Sequence, residues 1–175
     1  MDKFYQRIII FVLVVILLFL LYQVLAPSKE EQIKNYLLDM GYQEDMYDRT
    51  LLTKNESATT TYSFSVADYT FSQKVDDYNT NVESMLNQTY DFKNKELYYN
   101  YRIEYSDKVN VIFKGDYNSG TFSCNKEFST ASLEQAEINN TCNMLRLKVE
   151  RFYNEAQTLF NNYHFIEYME NLKID

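Results

Sequence analysis

The sequence predicts an α+β chain: an N-terminal transmembrane helix, an amphipathic stalk helix, an antiparallel meander of four to six strands, and a long C-terminal helix packed on the sheet. Three observations predict it. Residues Ile8 to Leu25 read IIIFVLVVILLFLLYQVL and carry no charge; after Gly41 the apolar period changes from near 3.6 to 2; and from about Ser132 it returns to steps of four and three.

At about 1.5 Å per residue the uncharged run reaches roughly 27 Å, close to the hydrocarbon thickness of a bilayer. A cleaved signal peptide has a shorter apolar region, about 7 to 15 residues, ending in a small-x-small site. Val24-Leu25-Ala26 has that form, but Pro27 follows it and is a poor residue just after a cleaved bond. The run is therefore expected to be retained as a signal anchor. No cysteine lies near its end, which argues against a lipoprotein anchor. Lys3 and Arg7 precede the run and favour the cytoplasmic side, whereas Lys29 beyond it is offset at once by Glu30 and Glu31. The expected organisation is a cytoplasmic tail over 1–7, a transmembrane signal anchor over 8–26 and one extracytoplasmic domain over 27–175. The protein would thus be single-pass in the cell membrane, with its N-terminus cytoplasmic.

Ser28-Lys29-Glu30-Glu31 has the S-x-x-E form of a capping box, and Ile33, Tyr36, Leu37 and Met40 then recur at helical spacing before Gly41. This stalk helix is expected over about 29 to 40, with a joint at Pro27. Beyond it Tyr62, Phe64 and Val66 alternate with serine and threonine, and Tyr69, Phe71 and Val75 follow in shifted parity, which implies a turn or bulge near Ala67-Asp68. Thr80-Asn-Val-Glu83 repeats the capping-box pattern and suggests a short helix through Met85 and Leu86. In ELYYNYRIEYS, Leu97, Tyr99, Tyr101, Ile103 and Tyr105 share one face and Tyr98, Asn100, Arg102 and Glu104 the other. Asp107-Lys108 marks a hairpin into Val109, Val111 and Phe113; Gly115 to Gly120 reads as a loop; Phe122, Cys124 and Phe128 read as the inner face of a further strand. The final helix carries Ile138, Cys142, Leu145, Val149, Phe152, Ala156, Leu159 and Tyr163 on one stripe, opposite Asn139, Lys148, Arg151 and Glu155.

Charge narrows the function. Setting aside Lys3 and Arg7 from the 17 basic residues and Asp2 from the 25 acidic ones leaves a net charge of −9 on the outer part. Nucleic acid and anionic headgroups would repel such a domain. Glycine and proline number three and one, and no Ser/Gly-rich stretch offers a linker, so one core is expected.

Few residues suggest chemistry. The two cysteines, Cys124 and Cys142, both point inward in this reading, and a bond between them would contribute about 3 kcal/mol by the chain-entropy account. Neither sits in a C-x-x-C pair. His164 is the only histidine, and no ligand set with metal spacing accompanies it. Glu44-Asp45 and Asp76-Asp77 lack the Asp-x-Asp loop of a calcium site and read as solvated charge. Three N-x-S/T sequences begin at Asn55, Asn87 and Asn139, in a chain where asparagine is common enough for chance matches. Tyr98 and Arg102, on the wet face of their strand, form a candidate contact patch. The segment YHFIEYMENL adds Tyr163, Phe165, Ile166, Tyr168 and Met169 in directions that one stripe cannot cover, so these residues are a candidate partner-binding surface.

The expected function is a non-catalytic, membrane-anchored interaction module of the cell envelope, with the membrane and another envelope protein as partners and no cofactor. Two alternatives are a structural subunit of a pilus-like or secretion assembly and a cell-wall-acting hydrolase. The first would need a glycine processing site before the apolar run and usually a glutamate within it; the second would need a paired acid and base in a cleft.

Overall fold

Nine strands, against the four to six expected, form one antiparallel sheet in a computed structural model that describes residues 3–25, 27–79, 82–105, 110–118, 120–130 and 132–161. The chain falls into two units, Met1–Tyr36 and Leu37–Asp175, divided within the second helix.

In the first unit, α1 (Lys3–Leu25) follows the uncharged run, where no proline or glycine interrupts it. Side chains from Ile8 to Tyr22 are exposed on every side of the helix, at 44% to 71%. Among the described residues no helix is long and apolar enough to cross a membrane. The second helix, α2 (Lys29–Asp39), begins at the predicted cap: Ser28 Oγ accepts the Glu31 N–H at 3.2 Å.

In the second unit, Gly41 caps the end of α2, with a φ of 86° that suits glycine. Tyr42 N–H donates to the Leu37 carbonyl at 3.0 Å and Gly41 N–H to that of Leu38 at 2.9 Å. These are the paired bonds of a Schellman cap, and both Leu37 and Tyr42 are buried beside it. The strands are β1 (Gln43–Glu44), β2 (Leu51–Asn55), β3 (Thr60–Ser65), β4 (Thr70–Asn79), β5 (Val82–Asp91), β6 (Glu96–Tyr105), β7 (Asn110–Asn118), β8 (Thr121–Phe122) and β9 (Asn125–Ser129). Each from β1 to β7 pairs with the next, and β9 returns to pair with β7.

Local side chains fix the turns. Between β3 and β4, where the parity shift is predicted, Ser65 Oγ donates to Asp68 Oδ2 at 3.0 Å and accepts the Asp68 N–H, and Tyr69 takes a φ of 56°. Between β5 and β6, Asp91 Oδ1 accepts the Lys93 and Asn94 N–H groups at 2.8 and 3.1 Å. The predicted Asp107-Lys108 turn lies outside the described residues; Glu104 and Asn110 on either side of it are register partners.

Four local expectations need correction. Met85 and Leu86 lie in strand β5, not a helix, because ten residues of β5 pair with β4 on one side and β6 on the other, and this tertiary pairing overrides a capping pattern. Gly115 does not open a loop: β7 continues through it to Asn118. Phe122 and Phe128 belong to two strands, with Cys124 in the link between them, and Phe128 is 49% exposed because a register shift between Ile112 and Phe113 turns β9 outward. The final helix, α3 (Gln135–Asn161), begins three residues later than expected.

Register builds the inner face in rows. Leu52, Phe64, Phe71, Tyr90 and Leu97 stand side by side across β2 to β6, and Val75, Leu86, Tyr101 and Phe113 across β4 to β7. Burial of these aromatic and aliphatic groups is the main driving force of the fold. Helix α3 covers them through Leu145, Val149, Phe152 and Ala156, all buried as the stripe predicts. Phe152 stacks on Phe71 with centroids 5.3 Å apart, and Tyr153 meets Tyr90 edge-on at 5.5 Å. Ile138 and Cys142, nearer the start of α3, are only half-buried.

Candidate functional site

The alternation that turns Phe71, Val75, Leu86 and Tyr90 inward also turns Gln73 and Gln88 inward. Register then places Tyr62, Gln73, Gln88 and Tyr99 in one row across β3 to β6. These groups form a relay: Gln88 Nε2 donates to Gln73 Oε1 at 2.8 Å, Gln73 Nε2 to the Tyr62 hydroxyl oxygen at 2.7 Å, and the Tyr62 hydroxyl to Glu155 Oε2 of α3 at 3.1 Å. Glu155 Oε1 in turn accepts from Arg151 Nε at 3.1 Å. Burial, and then the charge of Glu155, push the Tyr62 hydroxyl pKa up. Gln88 is only 1% exposed and its Oε1 has no partner, an arrangement that costs about 1 to 3 kcal/mol if nothing fills it.

The relay lines a cavity of about 310 Å³ between α3 and strands β3 to β5. Leu86, Gln88 and Phe152 are its buried members, while Glu56, Lys148 and Arg151 stand at the exposed rim. In the sequence this row shows only as a glutamine flanked at the inward parity by apolar residues, Phe71 and Val75 about Gln73 and Leu86 and Tyr90 about Gln88.

Next along the row, the Tyr99 hydroxyl donates to the Ser123 carbonyl at 2.7 Å and Phe122 stacks flat on the Tyr99 ring at 5.7 Å. Burial raises the pKa of this phenol well above its ordinary value. Opposite Tyr99 stands Gly115.

On the other face of the sheet, which α3 does not cover, lie the predicted contact residues. Tyr98 is 46% exposed and donates to Glu96, a bond that raises its hydroxyl pKa. Arg102 donates to Glu104 at 2.8 Å and to Asn110 at 3.3 Å. The two share a face but stand two register rows apart, each tied to its own carboxylate. Arg102 has Met85 and Ile112 as register partners, and Ile112 pairs with Phe128.

Cys124 and Cys142 are joined, with sulfurs 2.03 Å and Cα atoms 5.8 Å apart. Their sequence separation of 18 gives an expected loss of about 3 kcal/mol for Cys142→Ser on the chain-entropy model. Peptide mapping without reductant should recover the two peptides joined. Free alkylation of both thiols in the unfolded, unreduced protein would contradict the bond.

Tyr163, Phe165, Ile166, Tyr168 and Met169, with His164, lie outside the described residues. The acidic pairs serve local structure: Asp45 Oδ1 accepts the Tyr47 and Asp48 N–H groups at 2.8 and 3.0 Å, and Asp76 pairs with Lys74 at 2.8 Å. Among the described residues no group of three or more His, Cys, Asp or Glu could hold a metal ion.

No known protein family matches the chain, and no curated protein or solved structure matches it either.

Proposed function

We propose that the chain is a non-catalytic, membrane-anchored interaction module of the cell envelope, with its N-terminus cytoplasmic and its sheet domain outside. The observation that supports this reading is α1, where consecutive apolar side chains from Ile8 to Leu21 are all exposed. A helix apolar all round suits a lipid environment, not water. The uncharged sequence continues to Leu25, and Lys3 and Arg7 precede it, so both length and charge favour a span with the N-terminus inside. An alkaline carbonate wash should leave the protein in the membrane pellet, and protease added outside intact cells should digest the sheet domain. Release by carbonate, or a mature chain starting at Pro27 or Ser28, would remove the anchor.

The partner in this reading is another envelope protein. On the uncovered face Arg102 lies among Met85, Ile112 and Phe128, and arginine, methionine and aromatic residues are those that interfaces collect. Tyr98 extends that contact patch, and Tyr163, Phe165, Ile166, Tyr168 and Met169 supply a second surface.

A further inference from the structure

We propose that the bond between Cys124 and Cys142 is a redox clasp: when a dithiol opens it, the leading part of α3, Gln135 to Met144, comes free as a strap while the rest of the helix stays on the sheet. The two parts of α3 are held in different ways. From Leu145 onward the helix is anchored in depth. Leu145, Val149, Phe152 and Ala156 are at most 1% exposed, Glu155 accepts from Tyr62 at 3.1 Å, and Gln157 Nε2 donates to the Tyr90 hydroxyl oxygen at 2.7 Å. Before Leu145 no residue of the helix is buried: Ile138, Thr141, Cys142 and Met144 are half-buried and the others exposed. Side-chain hydrogen bonds in this part are local, from Gln135 Nε2 to Asn139 Oδ1 at 3.0 Å and from Glu134 N–H to Glu137 Oε2 at 3.0 Å. Among the described residues no hydrogen bond, ion pair or ring contact joins a side chain from Gln135 to Met144 to the sheet, so the disulfide is the strong tie there.

The local sequence holds a helix poorly. Its N-cap position falls on Glu134, whose carbonyl accepts the Ile138 N–H at 3.2 Å, where serine, threonine, aspartate or asparagine would cap better. Asn139-Asn140-Thr141-Cys142-Asn143 follows, all from the weak end of the helix scale. A helix end with a weak cap, weak formers and no buried side chain frays unless it is pinned. The other end of the strap is secure. Ser129 pairs with Val111, the Thr130 N–H donates to the Asn110 carbonyl at 3.1 Å, and Thr130 Oγ1 accepts the Asn110 N–H at 2.9 Å. Opening the clasp therefore yields a segment fixed at Thr130 and at Leu145 and free between them.

Both cysteines are half-buried and not sealed in the core, so a reductant can reach the bond. A thiolate of the dithiol attacks one sulfur and releases the other as a thiolate, which takes up a proton; the second thiol of the reductant then displaces the first from the mixed disulfide. Two electrons and two protons pass to Cys124 and Cys142, and the dithiol leaves as a disulfide. This inference rests on neither the membrane anchor nor a protein partner.

The test follows backbone hydrogen exchange of the full chain in detergent, oxidised and after dithiothreitol without denaturant, with alkylation and mass measurement to count free thiols. Amides of residues 138–144 should exchange about a hundredfold faster once reduced, the factor equivalent to a bond that closes a short loop. Those of 149–156 and of β4 to β6 should keep their rates, and reoxidation should restore the slow exchange. Joint replacement Cys124→Ser and Cys142→Ser should give the fast pattern without reductant; if that variant fails to fold, the reduced unsubstituted chain still decides. Unchanged exchange in a fully reduced chain would overturn the proposal, because the strap would then be held without the bond. Acceleration throughout α3 and the sheet, a bond that dithiothreitol leaves closed in the folded protein, or protection that reoxidation fails to recover would do so equally.

Discussion

Gly115→Ala should destabilise the sheet domain by about 3 kcal/mol, the upper part of the usual range for overpacking, and lower its melting temperature by about 6 to 12 °C. A Cβ at this position would lie 2.1 Å from the Ser123 carbonyl oxygen, 2.8 Å from its carbon and 2.7 Å from the Tyr99 hydroxyl. Two of these atoms are backbone, so β7 or the segment after β8 must move, and the Tyr99 to Ser123 hydrogen bond goes with them. The sign of the effect is diagnostic, because a glycine at negative φ without such a neighbour gains stability on replacement by alanine through the unfolded chain. Tyr99→Phe removes only the hydroxyl and should relieve a minor part of the strain in a double variant. An unchanged melting temperature for Gly115→Ala would show that the crossing of Ser123 over β7 is wrong.

Phe152→Ala should cost about 4 kcal/mol in denaturant unfolding, within the range for emptying a buried phenylalanine site. Phe152 is 1% exposed, and Phe71 is stacked between it and Tyr62, whose ring lies 5.6 Å from that of Phe71 and 5° from parallel. Its removal therefore loosens the aromatic row and the wall of the polar relay together. Leu147, on the same helix but 70% exposed, is the control: Leu147→Ala should change stability by less than about 0.5 kcal/mol. Equal small losses for the two variants would refute the placement of α3 over the sheet.

Periodicity made much of this fold legible. The step from 3.6 to 2 and back located α2, α3 and strands β3, β4, β6 and β7, because a buried stripe on a helix and a buried face on a strand impose those spacings, whereas β2 (Leu51–Asn55) was not read from it. Ser28 and Gly41 marked the ends of α2 through backbone chemistry that is local in sequence. The errors fell where local pattern competes with pairing. Thr80 to Glu83 imitates a helix cap, yet the strands on either side of β5 claim its backbone. Gly115 has the look of a loop residue, but what it provides is room for Tyr99 and Ser123, which arrive from elsewhere in the chain. β1, β8 and β9 are short or irregular and carry no clear alternation. Gln73 and Gln88 are hidden for another reason: each stands between two apolar residues of its face, and only the register shows that they meet. Tyr98 and Arg102 lie on the wet face that the alternation assigns them, and their separation and their carboxylate partners Glu96 and Glu104 belong to the same strand; what the sequence hides is the cross-strand company of Arg102, Met85 and Ile112.

Strand order follows chain order from β1 to β8, and the helix that covers Phe71 and Tyr90 comes after all nine strands. Each pairing along that path closes only a short loop, at small entropic cost. The cover is a different matter. A ribosome completes the whole meander before it makes Phe152 and Tyr153, so the growing chain carries an aromatic sheet face without its lid for as long as α3 takes to synthesise. Such a face is the kind of surface on which incomplete chains associate with one another. Across β3 to β5 the opposite face needs no lid, for Ser63, Ser72 and Thr89 form a polar row there, with Ser72 and Thr89 bonded at 2.9 Å. Biosynthesis of this part of the sheet is thus asymmetric: its outer side is suited to water as soon as the strands pair, and its inner side depends on the last helix.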